Sequence, residues 1–281
     1  MVDELSLQFE YEVFDPRKDP RRKGIYSQSM LNRRNRKGMT VVDAARLLKS
    51  RPYFASQMVA NGDADGFVGG VSRNYADVLR PTLELIGPAD DAHCIVGCYM
   101  MNVKGRTIFL ADATVNVYPD SRTLAEIAVQ TAKVARRFGV DPVVAMLSFS
   151  NFGSSRAQRS ERIEDAIEFA RELDPSLVID GPMQADTALN GDVQGEYPFM
   201  EFTGAANVLV LPNLAAANIA YKLLEELGDA EMTGPILEGM DQPVQLVARQ
   251  DGVRHIVNMA AICAADAIRQ EPYWESLIDP V

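Results

Sequence analysis

The sequence predicts an α/β protein with a mostly parallel sheet. Strand and helix signals alternate along the chain, the pattern that β-α-β units produce. Val143–Ser148 and Asn207–Leu211 are short continuous apolar runs, as expected of strands covered on both faces. Between and after them lie helices with one apolar side. In Arg162–Leu173, Ile163, Ala166, Ile167 and Ala170 fall at i, i+3, i+4 and i+7. In Val253–Ile268 the same side carries Val253, Ile256, Val257, Ala260, Ala261 and Ala264.

In chain order, Leu7–Phe14 reads as a β-rich run ending at Asp15-Pro16, and the charged, proline-bearing Asp15–Lys23 reads as a loop. Thr40 opens a helix as a capping residue, with Asp43 in the first turn. Pro52–Ala60 is a second helix, stopped by Asn61-Gly62. Gly66–Val71 is a short strand running into a glycine-rich turn. Leu79–Ile86 is helical if Pro81 sits in the first turn, where its missing N–H costs nothing. His93–Asn102 and Thr107–Ala111 form a strand pair through Val103–Arg106. Thr123-Leu-Ala-Glu126 has the form of a capping box and opens a helix ending at Gly139. Ala215–Leu227 is helical. No internal repeat, low-complexity tract or flexible linker interrupts the chain.

Composition narrows the function. The 281 residues suffice for one large domain or two moderate ones, and 47% apolar with 24% charged residues is ordinary for a globular protein. With 28 Lys and Arg against 39 Asp and Glu, the net charge of −11 opposes binding to nucleic acid or an anionic membrane. No apolar run approaches the roughly 20 residues that span a bilayer, and Met-Val-Asp-Glu-Leu-Ser has no signal-peptide character. Three cysteines, Cys94, Cys98 and Cys263, without a secretion signal point to a reducing, cytoplasmic location. Cys94 and Cys98, with His93 beside them, lack the second ligand pair of a structural zinc site and read as core residues.

No phosphate-binding glycine loop of either common type is present, and Gly66…Gly69-Gly70 is too irregular to serve as one. A Ser/His/Asp triad has only His93 and His255 to draw on. Arginine is more informative, since its fork matches phosphate oxygens and helix N-termini attract anions. Asn32–Gly38 puts four cations in five positions, Arg33, Arg34, Arg36 and Lys37, which a solvated charge run would also explain. Arg80 stands at the start of the helix read at Leu79–Ile86, and Arg249 precedes the last helix. Gly153-Ser154-Ser155-Arg156 is a small-residue turn after a buried strand, where α/β folds bind ligands or simply turn.

Taken in order, several segments resemble the phosphate acetyl/butyryltransferase family: Arg34–Thr40, Gly62–Gly66, Asp77–Pro81, Met146–Ser150, Asp180-Gly…Asp186, Asn218–Lys222 and Pro243–Val257. The resemblance covers nearly the whole chain. It places Arg34 and Arg80 on the arginines that bind phosphate and substrate in active members, and it keeps Arg249. It breaks where those members carry a serine before that arginine and an aspartate six residues after it, since this chain has Ala248 and His255 there. The same break occurs in the C-terminal domain of bacterial hybrid NADP-dependent malic enzymes, and Gly181–Asn190, Leu211–Asn218 and Val253–Met259 resemble that subgroup.

The resemblance implies two α/β subdomains and an inter-subdomain cleft: residues 1–91 plus 243–281, and residues 92–242. It implies a domain without catalytic residues that binds acetyl-CoA as an allosteric effector of a malic enzyme in central carbon metabolism. Arg34, Arg80, Arg249, Ser154 and Arg156 are then the ligand candidates. It also implies a homodimer through this domain and a larger homo-oligomer in the full protein. NADP and a divalent metal are expected only in a malic-enzyme half, which this chain does not contain. The family pattern has a further β-α-β stretch before Leu7, so the chain is expected to be part of a longer protein. A working phosphate acetyltransferase, with His255 as base, and a scaffold that dimerises through the region of Trp274 are the alternatives.

Overall fold

The computed structural model describes residues 11–154 and 158–270. Its first helix, α1 (Pro20–Arg34), begins inside the segment read as a loop, with Asp19 accepting a hydrogen bond from the Arg22 backbone and a proline at the start. Only Tyr26 and Met30 on α1 are buried, one turn apart, so the helix has almost no apolar signal of its own. Of the predicted first strand, Tyr11–Phe14 is irregular. Leu7–Glu10 lies outside the described residues.

A 3-10 turn (Asn35–Lys37) leads to α2 (Val41–Leu47), where Thr40 and Asp43 form the reciprocal capping box. Next come α3 (Arg51–Ala60), β1 (Phe67–Gly70) and α4 (Tyr75–Leu85). Pro81 lies in the middle of α4 and Arg80 within it, because the helix starts a turn earlier than its apolar residues suggest. Val78, Leu79, Pro81, Thr82 and Leu85 are buried, so packing offsets the backbone bond that proline forgoes.

A six-stranded sheet follows. Its strands are β2 (Val96–Val103), β3 (Arg106–Ala111), β4 (Val143–Leu147), β5 (Val178–Met183), β6 (Val208–Val210) and β7 (Glu231–Glu238). The spatial order is β5-β4-β6-β3-β2-β7. β5, β4, β6 and β3 run parallel, while β2 is antiparallel to both β3 and β7. β2 begins at Val96, so His93 and Cys94 precede the strand rather than open it. α5 (Ser121–Arg137) is capped by Asp120, which accepts the Thr123 N–H at 2.8 Å. The predicted box at Thr123–Glu126 therefore lies one turn inside the helix, and Glu126 is buried.

Two-residue alternation sorts the side chains of each strand between two cores. Phe109, Ala111, Val144, Met146, Val208 and Val210 face α5 and α6 (Gln158–Leu173). Ile108, Leu110, Ala145, Leu147 and Leu209 face α9 (Leu214–Gly228) and the short α7 (Ala185–Leu189), which α8 (Gly191–Gln194) follows. β8 (Val244–Val247) returns to pair in parallel with β1, from Phe67 with Val244 to Gly70 with Val247. At Gly70, which has φ +140°, a Cβ would lie 1.8 Å from the Val247 carbonyl oxygen, so only glycine fits. The last described helix is α10 (Val253–Gln270), which buries Met259 and Cys263. No helix among the described residues is long and apolar enough to cross a membrane.

Candidate functional site

A cavity of about 640 Å³ opens where β8 ends and α10 begins. Six parts of the chain build its walls, one of them the segment Ala113-Thr114 after β3. α9 supplies a helical stripe, Leu214, Asn218, Tyr221, Lys222, Glu225 and Glu226. β7 contributes Met232, Gly234 and Pro235. From the other side come Tyr75, the first residue of α4, and Tyr99 on β2. The Ala248–His255 turn closes one end, with Ala248, Gln250, Asp251 and His255 all lining the space.

The floor is fixed by a buried carboxylate. Asp112, at the end of β3, is 2% exposed. Its Oδ1 accepts the backbone N–H groups of Gly97 (3.2 Å), Thr114 (2.9 Å) and Val115 (3.2 Å). Its Oδ2 accepts the backbone and side-chain N–H of Asn116, both at 2.7 Å. Burial raises its pKa against the opposing pull of these hydrogen bonds. The loop is thereby held so that Thr114 enters the cavity wall above Gly97, where a Cβ would stand 1.8 Å from the Thr114 hydroxyl oxygen.

Three tyrosines give the cavity an aromatic lining. Tyr99 and Tyr221 stack with centroids 4.2 Å apart and planes at 26°. Burial raises the Tyr99 pKa strongly, aided by the Tyr221 hydroxyl, and burial likewise raises that of Tyr75. Both phenols remain protonated donors at neutral pH. The Lys222 ammonium lies 4.9 Å from the Tyr221 ring and 3.5 Å from Glu225. At the closed end, Asp251 Oδ2 accepts the Ala248 N–H at 2.6 Å and stands 3.4 Å from His255 Nε2.

Ala248 and His255 thus meet in one cavity, whereas the arginines do not. Arg249 is exposed and turned out of the lining. Arg34, on α1, is 3.5 Å from Glu84 of α4, whose second carboxylate oxygen accepts the Tyr53 hydroxyl at 2.9 Å. Burial, then the Glu84 hydrogen bond, push the Tyr53 phenol up to about 12, while Arg80 and Arg34 both act to lower it. Arg34 and Arg80 therefore share a neighbourhood around Tyr53, with Arg34 partly neutralised. The rest of the basic run divides: Arg33 donates to the Ala60 carbonyl at 2.9 Å, and Arg36 and Lys37 are exposed. Ser154 is exposed in the turn after β4, outside the cavity, and Arg156 lies outside the described residues.

Sequence reasoning missed Tyr75, Tyr99, Thr114 and Asp251. Only Asp251 carried a signal, four residues before His255 and three after Ala248. Cys98 and, beside it, Cys94 pack into the α5 side of the core. Burial pushes Cys94 up to about 12 and Cys263 up to about 11, so these thiols stay protonated. Among the described residues, no group of three His, Cys, Asp or Glu side chains is placed to hold a metal ion.

A mixed six-stranded sheet, a second sheet of β1 and β8, and a cavity at the end of β8 define an α/β architecture, and comparison with known proteins gives its family. The phosphate acetyl/butaryl transferase family matches residues 3–264, and the chain belongs to that family. It is 40% identical over 248 residues to an NADP-dependent malic enzyme of Rhizobium meliloti, covering 88% of this chain and 32% of the relative. It is 38% identical over 264 residues to a phosphate acetyltransferase of Corynebacterium glutamicum, covering 94% and 80%. A phosphotransacetylase structure from Streptococcus pyogenes superposes with a TM-score of 0.88 at 33% identity, covering 96% and 82% of the two chains. The chain spans about a third of the malic enzyme and about four fifths of the acetyltransferase.

Proposed function

We propose that this chain is a non-catalytic phosphotransacetylase-like regulatory domain of an NADP-dependent malic enzyme, binding acetyl-CoA as an allosteric effector and mediating oligomerisation. The observation that carries this reading is Ala248. The cavity is kept and closely built, but at the family's serine position stands a methyl group whose backbone N–H is already taken by Asp251. Alanine has no proton to exchange with a thiol. The similarity to malic enzymes, matched over a third of their length, supports the assignment to such an assembly.

In this reading the subdomains are residues 1–91 plus 243–281, and residues 92–242. Acetyl-CoA lies between them, its phosphates near arginines and its thioester near Arg249, with Arg34 and Arg80 lining the family's phosphate site. Ligand binding favours one arrangement of the subdomains only through a difference in affinity, typically about 1–3 kcal/mol. The protein works in the cytoplasm as a homodimer or larger homo-oligomer, away from nucleic acid and membrane. NADP and the divalent metal belong to the malic-enzyme half. Calorimetric titration with acetyl-CoA, with free CoA as comparison, tests the reading. Saturable binding with the thioester intact is expected, weakened about tenfold or more by Arg249→Ala, as loss of a charge-assisted contact would give. Absence of binding would leave a dimerisation scaffold.

One observation favours a second reading, an active phosphate acetyltransferase. Asp251 stands close enough to His255 to orient it as a general base toward the CoA thiol. Acetyl phosphate formed from acetyl-CoA and phosphate, and abolished by His255→Ala, would establish it.

A further inference from the structure

The cavity beside Ala248 holds more hydrogen-bonding capacity than the protein uses. The Tyr75 and Thr114 hydroxyls lie against each other and His255 Nε2 faces Asp251; all three are shut off from solvent, and none completes a hydrogen bond of good geometry. Buried polar groups are ordinarily satisfied, so three of them on one cavity mark a place for a ligand with acceptor oxygens. The first turn of α10 and the Ala248 N–H add donors at the same end.

One acceptor is already there. The Asp251 carboxylate takes the Ala248 N–H at 2.6 Å and reaches to 3.4 Å from His255. Its charge is also felt by Tyr99 across the cavity. Glu225 and Glu226 line the same space, and Lys222, the lysine among the lining residues, is paired with Glu225. Carboxylates thus share the cavity with the donors.

We propose that Asp251 is a built-in anion. Its carboxylate fills the position that a small oxyanion such as phosphate would take between the Ala248 N–H and His255, with Tyr75 and Thr114 on the same cavity. The protein thereby closes this site to free phosphate. The inference stands apart from the effector reading, because it concerns a small oxyanion at the end of the cavity and holds whether or not acetyl-CoA binds.

The test titrates inorganic phosphate into the wild type, Asp251→Ala and Asp251→Asn, read by calorimetry after circular dichroism has shown each variant folded. The wild type is expected to show no saturable binding in the cavity. Asp251→Ala is expected to gain it, tightening phosphate binding about tenfold or more once the like charge is gone. Asp251→Asn keeps an acceptor for the Ala248 N–H and removes only the charge, so it reports even if the alanine variant unfolds. A smaller gain in the same direction is expected from it. The gain should vanish when His255→Ala is added and persist in an Arg34→Ala background, which removes phosphate bound among the arginines. Unchanged phosphate affinity in folded Asp251 variants, or a gain that disappears with Arg34 but survives loss of His255, would overturn the proposal.

Discussion

Gln245 completes the hydrogen bonding of Leu237 as though it were a strand neighbour. The Gln245 carboxamide, fully buried on β8, accepts the Leu237 N–H at 3.0 Å and donates to the Leu237 carbonyl at 3.3 Å. β7 is an edge of the six-stranded sheet, and β8 belongs to the two-stranded one. A side chain thus imitates one peptide unit and joins the two sheets where no ladder forms. Beyond it, the same amide approaches Asp266 at 3.4 Å.

Replacing Gln245 with leucine keeps the volume but orphans both backbone groups of Leu237. Each unsatisfied buried group costs about 1–3 kcal/mol, so a loss of about 2–4 kcal/mol is expected in denaturant unfolding. A loss below 1 kcal/mol would mean that water replaces the amide.

Asp120, not Thr123, caps α5. Asp120→Ala should cost about 1 kcal/mol in thermal or denaturant unfolding, whereas Thr123→Ala should cost less, because the Thr123 group that matters is its backbone N–H. That hydrogen bond, first among its causes, lowers the Asp120 pKa. Its contribution is present above the unfolded pKa and is lost as pH falls through the lower folded value.

The same helix shows what could be read from sequence. The apolar runs of β4 and β6 and the periodic helices α6, α9 and α10 were legible, since burial itself writes those patterns. β5 and β7 were not, because Gly181-Pro182 and Gly234-Pro235 interrupt them and look like turns. α1 was hidden by charge, with two buried residues in fifteen. At the site, Ala248 and His255 stood out as departures from a motif. Tyr75, Tyr99 and Thr114 did not, because single residues from distant segments carry no local spacing, and their convergence is a property of sheet order.

Arg137 serves two carboxylates at the junction of α5, β7 and α10. It is 2.8 Å from Asp266 and also pairs closely with Glu238, all three side chains being mostly buried. Burial raises both carboxyl pKa values, and Arg137 opposes it. Folded values above the unfolded ones mean that both groups stabilise most at low pH and lose that contribution as pH rises through the folded values. Arg137→Met should raise them further and leave two buried charges unpaired. The expected loss is about 3 kcal/mol at pH 8 and distinctly less at pH 5. A loss independent of pH would show that Arg137 acts through packing alone.

Glu84 restrains Arg34 in the same way that a ligand phosphate would. Glu84→Gln keeps an acceptor for the Tyr53 hydroxyl but removes the charge that holds the guanidinium at 3.5 Å. Two outcomes should appear together. The Tyr53 phenol, now at about 12, should move down toward its ordinary value in an ultraviolet pH titration, since the Glu84 charge would no longer add to burial and the hydrogen bond against Arg80 and Arg34. Acetyl-CoA affinity should rise by about three- to tenfold, because releasing an arginine from a partly exposed pair frees about 1 kcal/mol of charge for a phosphate. Arg34→Ala in the Glu84→Gln background should cancel the second effect and leave the first largely in place. Movement of Tyr53 without any change in affinity would place Arg34 in the α1–α4 packing and outside the ligand site.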